Sequence, residues 1–156
     1  MIVKFSLSKH LITVDAGSTK WTLEASCLVR NEENGWRGSH EVVKTIPADK
    51  PYQPRQFPVG VWHIGWPVAR EEEYKAPIYI PTDAWREVPV WSLVDGLYHR
   101  PTDETVIDED YGLHCSTSNT TLGCIRIHRR EDLYRLVSEI FLELAEKRIP
   151  LLEVCK

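Results

Sequence analysis

At 156 residues, 42% hydrophobic and 27% charged, the chain is long enough for one domain with a buried core and too short for two comfortable ones. A formal net charge of -4 and a sequence pI near 5.9 leave no basic footprint of the kind a phosphate backbone demands, so no nucleic-acid partner is expected. No run of about 18 apolar residues encodes a membrane span, and Met1 to His10 lack the apolar core of a signal peptide.

The first 100 residues read as short β segments punctuated by turn residues, without internal repeats. Met1 to Phe5, Leu11 to Asp15 and Trp21 to Arg30 alternate or run apolar, and Asp15-Ala-Gly-Ser predicts a hairpin turn between the second and third. Asn31 to Gly38 is a turn-rich connection. Ile46 to Pro58 carries four prolines, which cannot donate to a sheet ladder, and so reads as a surface loop. Val59 to Trp66 and Ala76 to Ile80 are rich in β formers on either side of a charged bend, Arg70-Glu-Glu-Glu-Tyr74, and both are expected to be strands.

The strong helical signal comes late. Leu133, Leu136, Val137, Ile140, Phe141 and Leu144 make one apolar face, with Glu131 and Asp132 at the positive end of the helix dipole and Lys147 and Arg148 at the negative end. Pro150 stops the helix, and Leu151 to Val154 can return as a last strand. The expected fold is mainly β, a mixed sheet with one C-terminal amphipathic helix, in a single domain spanning residues 1–156.

The chemistry concentrates between Tyr111 and Ile127. Tyr111 to Cys115 reads as a strand, and so does Leu122 to Ile127, whose alternation puts Cys124, Arg126 and His128 on one face and Ile125 and Ile127 on the other. The nine residues between His114 and Cys124 suffice for a hairpin that brings the imidazole beside the thiol. A thiol is a useful nucleophile near neutral pH when a base or a positive field favours its thiolate, and His114 is the local base. Gly123 removes a side chain where a substrate backbone would approach, and the amides of Gly123 and Cys124 are candidate donors to an oxyanion. Arg126 either grips a substrate carboxylate or pairs with a surface one. Ser116 either orients His114 or decorates the loop.

Blander readings stand beside these. Cys115 is expected to face the core, because strand neighbours point to opposite faces. Cys27, Cys115 and Cys155 permit at most one disulfide, and no Cys-x-x-Cys pair occurs. Trp62, Trp66, Trp85 and Trp91 either line a groove for sugar or peptide or belong to the core. A zinc site from His114, Cys115, Cys124 and His128 fits the usual ligand spacing poorly, so no metal is expected.

The Thr121-Leu-Gly-Cys-Ile-Arg126 stretch resembles the signature of the L,D-transpeptidase catalytic domain (YkuD-type), in which a histidine precedes, by a variable loop, a Ser/Thr-His-Gly-Cys-hydrophobic-Arg/Asn motif. Gln56-Phe-Pro-Val-Gly-Val-Trp-His-Ile64 is similar to that family's Thr-Pro-x-Gly-x-hydrophobic stretch, and Tyr111-Gly-Leu-His114 to its strand leading into the base histidine. The chain departs from the family at Leu122, where a histidine is usual, and in a short His114 to Cys124 loop. The resemblance covers most of the chain loosely and implies a mixed β-sheet domain that transfers acyl groups on peptidoglycan stem peptides. It implies Cys124 as nucleophile, His114 as base, Gly123 at the oxyanion, and Arg126, Ser116 and Thr121 on the substrate side, with no cofactor. Hydrolysis of the same bonds, as an L,D-carboxypeptidase or endopeptidase, and a non-catalytic domain binding cell-wall peptide or another protein are the alternatives. Such chemistry takes place outside the cytoplasm, so either delivery by a phage lysis or secretion apparatus or a leader trimmed from this sequence is expected.

Overall fold

The computed structural model describes residues 1–31, 35–38, 50–70, 74–116, 121 and 123–156. Strands β1 (Ile2–Ser6), β2 (Leu11–Asp15) and β3 (Lys20–Ser26) form the expected antiparallel meander. Alternation explains it: Val3 and Phe5 face inward opposite Val14 and Ile12, and Leu23 follows on the next strand. The Asp15 carboxylate accepts the Gly17 amide at 3.0 Å, which closes the turn between β2 and β3.

The single strand expected from Trp21 to Arg30 is divided at Cys27. Beyond it, β4 (Leu28–Asn31) pairs with β5 (Gly35–Gly38) as a separate hairpin, where a plain connection was expected. After this come β6 (Gly60–His63), within the expected Val59 to Trp66 strand, β7 (Val68–Ala69), and β8 (Tyr74–Pro81), which contains the expected Ala76 to Ile80 strand and runs past it at both ends. Part of the Arg70 to Tyr74 bend and residues 46–49 of the proline-rich loop lie outside the described residues. The rest of that loop is not confined to the surface: Phe57 is fully buried against Tyr111, ring centroids 5.4 Å apart, and Gln53 is buried as well. The prolines keep the segment out of the sheet without keeping its side chains out of the core.

A long hairpin of β9 (Arg86–Val94) and β10 (Leu97–Asp108) turns at Asp95-Gly96, both at positive φ, 53° and 75°. Asp-Gly is the dipeptide such a two-residue turn favours. Strands β11 (Gly112–Ser116) and β12 (Ile125–Ile127) follow, then helix α1 (Arg130–Ala145) and β13 (Leu151–Cys155). Among the described residues one curled nine-stranded sheet runs β6-β13-β1-β2-β3-β12-β11-β8-β7, parallel at β1·β13 and β11·β12 and antiparallel elsewhere.

Helix α1 packs across β8, β11 and β12 and buries Leu133, Leu136, Val137 and Ile140. Each such burial removes apolar surface worth about 2 kcal/mol from water. Phe141 stays half-exposed and meets Trp66 at the rim, 5.5 Å between centroids. Lys147 and Arg148 lie past the helix end, where Arg148 folds back to hold Glu143 with two hydrogen bonds at 3.0 and 3.2 Å. Among the described residues no helix is long and apolar enough to cross a membrane.

Candidate active site

The pairing of β11 with β12 decides the site. It is parallel, with Leu113 opposite Ile125 and His114 opposite Arg126, so the expected hairpin between His114 and Cys124 is not what joins them. By that register Cys124 falls level with Gly112, one pleat step before His114, and all three lie on the same face with Arg126. Ile125 and Ile127 are fully buried on the opposite face, and Cys115 joins them there as expected.

Cys124 is half-buried, with its thiol donating to the Asp110 carbonyl at 3.5 Å. Burial pushes the thiol up, against which the Gly112 amide, the Tyr79 hydroxyl and the Arg70 guanidinium favour the thiolate and the Asp110 carboxylate opposes it. Tyr79 is the residue that sequence reasoning missed. It sits opposite His114 on β8, its ring stacks on the imidazole with centroids 6.5 Å apart, and its hydroxyl donates to the same Asp110 carbonyl at 3.0 Å. Burial keeps its phenol protonated. Gly112 makes room for this, since a Cβ there would overlap the Tyr79 phenol. In the sequence Tyr79 looked like one aromatic in a β-rich run.

His114 is buried, and burial together with the Arg126 guanidinium pushes its pKa down to about 4. The imidazole is therefore neutral at pH 7, and the same two causes make it a weaker proton acceptor than an ordinary imidazole. Arg126 is half-buried and donates through Nε to the Ser116 carbonyl at 3.4 Å, so one arm of the expected carboxylate clamp is held by the next strand. Ser116 itself is buried. His128, on the Cys124 face as expected, bonds Ser26 Oγ at 3.0 Å.

Gly123 and Thr121 serve the backbone. The Gly123 amide donates to Thr121 Oγ1 at 3.2 Å, and Thr121 Oγ1 donates to the Cys124 carbonyl at 2.7 Å. That arrangement fixes the turn that presents Cys124 and commits the Gly123 amide expected at an oxyanion. Gly123 sits at φ 123°, and a Cβ there would stand 2.5 Å from the Arg55 carbonyl and 2.8 Å from the Tyr111 ring. The open side of Gly123 is thus filled by the protein itself. Leu122 lies outside the described residues.

No family model matches the chain, and no curated protein or solved structure matches it either.

A cleft of about 450 Å³, lined among others by Arg70, Tyr79, Asp83, Trp85, Glu109 and Asp110 but not by Cys124 or His114 themselves, opens next to the groups that surround the thiol. Three of these are the groups whose hydrogen bonds or charges reach Cys124. The Pro81–Asp83 segment forms one wall, with Thr82 Oγ1 donating to the Tyr111 carbonyl and Asp83 accepting both the His63 amide and its ring nitrogen. Of the four tryptophans considered for a groove, Trp85 lines this cleft and Trp66 lines a second one shared with His63 and Arg148. Trp62 packs against the core, and Trp91 packs edge-on to Tyr98. All four cysteines are free thiols. Among the described residues no group of three or more histidine, cysteine or acidic side chains converges as metal ligands.

Proposed function

We propose that the chain is a thiol-dependent acyltransferase acting on peptidoglycan stem peptides, as its likeness to L,D-transpeptidases implies. The observation that carries this reading is the shared face of β11 and β12, which aligns a half-buried Cys124 with a neutral His114 beside an open cleft. A thiol and an imidazole that are both neutral at rest suit general-base catalysis rather than a standing ion pair.

In this mechanism Cys124 Sγ attacks the carbonyl carbon on the L side of an L,D peptide bond while His114 takes the thiol proton. The oxyanion collapses, the C–N bond breaks, and His114 returns that proton to the leaving amine. The carbonyl remains on sulfur as a thioester. An acceptor amine then attacks it, giving a cross-link and restoring the thiol; water in the same place gives hydrolysis. With the Gly123 amide committed to Thr121 and the Tyr79 hydroxyl donating to the Asp110 carbonyl at rest, the donors beside the sulfur are the Gly112 amide and, once it turns from that carbonyl, the Tyr79 hydroxyl. Such a protein works on wall material outside the cytoplasm, whatever route takes it there.

Intact-mass analysis after incubation with a carbapenem tests the nucleophile. A single adduct, absent in Cys124→Ala, is expected, and incubation with muropeptides should yield dimers, freed D-alanine or cut stems. Neither adduct nor any changed muropeptide would leave a non-catalytic binding domain as the better reading.

A further inference from the structure

The nine-stranded sheet closes on itself where the chain leaving β6 meets the chain leaving β8. There the Gly65 amide donates to the Pro81 carbonyl at 2.9 Å, the Asp83 amide donates to the His63 carbonyl at 3.1 Å, and Ile64 bridges to Thr82. The end of α1 and the residues after it meet this seam around a second cleft, of about 600 Å³, which neither Cys124 nor His114 lines. Its walls are mostly apolar: Ile64, Pro81 and Leu144 lie within, and Trp66 and Ile149 stand 51% and 61% exposed. Phe141 backs the indole of Trp66. A concave, mostly apolar cleft of about 300–1,000 Å³ is the common form of a small-ligand site. The acyl-transfer chemistry uses none of these side chains.

The titratable groups lining this cleft are His63, Asp83, Lys147 and Arg148. Asp83 turns both oxygens to His63, accepting its amide at 2.6 Å and its Nδ1 at 2.7 Å. Arg148 is held by Glu143 through two hydrogen bonds at 3.0 and 3.2 Å. Lys147 makes no ion pair among the described residues, and the neighbouring Glu146 does not line the cleft. The amides of Glu146, Lys147 and Arg148 already serve the Leu142, Leu144 and Glu143 carbonyls, so the last turn of the helix is capped from within. What remains is an apolar cleft with one cation that no carboxylate holds. We propose that it binds a linear acyl carboxylate, with the chain along Ile64, Trp66, Leu144 and Ile149 and the carboxylate on Lys147. Walls that are largely aliphatic accept a flexible chain without imposing the plane an aromatic acid needs. This site does not depend on the acyl-transfer reading.

Calorimetric titration of the intact chain with octanoate, octanol, octyltrimethylammonium and 2-naphthoate tests the site. Octanoate is expected to bind about fivefold more tightly than octanol at low salt, as one solvent-accessible ion pair allows, and that preference should shrink at about 0.5 M salt. Octyltrimethylammonium should bind more weakly than octanol. Lys147→Gln should abolish the preference for octanoate while leaving octanol binding unchanged, and Arg148→Gln should leave the preference in place. Trp66→Ser and Ile149→Ser should each weaken octanoate and octanol together by about tenfold, the apolar contact being lost to both. Ile149 is the more exposed of the two, so Ile149→Ser should melt with the parent chain and keeps the test independent of folding. Equal binding of the charged and neutral probes, a preference that follows Arg148 instead of Lys147, or no binding at all overturns the site. Tighter binding of 2-naphthoate than of octanoate overturns the linear chain as its occupant.

Discussion

Tyr79 lies flat against His114, with 24° between the two ring planes, and reaches past it to place its hydroxyl on the Asp110 carbonyl that also receives the Cys124 thiol. One side chain thus touches both members of the proposed dyad. Tyr79→Phe keeps the stack and removes the hydroxyl. Stability should fall by about 1 kcal/mol, the net worth of one hydrogen bond. Acylation of Cys124 by a carbapenem should slow by about tenfold or more, as expected when a donor to developing charge is lost. Urea unfolding and adduct formation timed by mass spectrometry check the two effects. Equal acylation rates would remove Tyr79 from the chemistry.

His114 gives the fold a pH dependence of definite sign. Its pKa is about 4 in the folded protein against an ordinary 6.5, so the unfolded chain binds the extra proton more readily. The stabilisation is fully present above pH 6.5 and is lost as the pH falls from there toward 4, to a total of about 3 kcal/mol. Urea midpoints at pH 7.5, 5.5 and 4.5 should decline for the native sequence, and the part due to this group should vanish in His114→Gln. The same shift keeps the base neutral, so acylation should hold its rate down to about pH 5. A rate that halves near pH 6.5 would contradict it.

Where alternation or helical spacing was strong, the fold was legible: Val3, Phe5, Ile12 and Val14 announce the meander, and Leu133, Leu136, Val137 and Ile140 announce the helix. The hairpin of β9 and β10 was hidden by Pro89 and Pro101, although Asp95-Gly96 was the signal that marks its turn. Phe57 was masked by the prolines around it. At the site, the common face of Cys124 and Arg126 follows from counting by twos along β12. The parallel pairing with β11 does not, because register between strands depends on the whole sheet. Tyr79 and Arg70 reach the thiol through that pairing, and no local pattern contains it.

The four thiols should differ sharply toward an alkylating reagent. Cys27 is buried, its pKa pushed up to about 12, with its thiol donating to the Gly123 carbonyl at 3.1 Å. Cys115 is sealed in the core, while Cys155 is exposed. Since the thiolate is the reacting species, iodoacetamide at pH 8 should label Cys155 first, Cys124 more slowly, and Cys27 and Cys115 only on unfolding. Labelling of Cys124 should climb through pH 9 without a plateau at neutral pH, because burial raises its thiol and the resting imidazole is uncharged. Peptide mapping over a pH series reads this directly. A plateau between pH 6 and 8 would reveal a standing thiolate and imidazolium pair, and the general-base route would give way to an ion-pair one.

Gly123 tests whether the motif glycine serves the substrate or the fold. Its φ of 123° lies where side chains are strained, and the position of a Cβ is already taken by the Arg55 carbonyl and the Tyr111 ring. Tyr111 cannot retreat easily, because it is buried, packs edge-on to Phe57 and donates its hydroxyl to the Asp108 carboxylate. Gly123→Ala should therefore cost about 2–4 kcal/mol from strain and overpacking together. Cys124→Ala, which removes one half-buried sulfur, should cost far less. Denaturant unfolding of the two variants side by side makes the comparison independent of any assay for activity. If Gly123→Ala melts with the parent protein yet no longer forms the carbapenem adduct, the glycine faces the reacting group. If it unfolds early, glycine is needed at this position because the backbone is squeezed between Arg55 and Tyr111 where it turns to present the thiol.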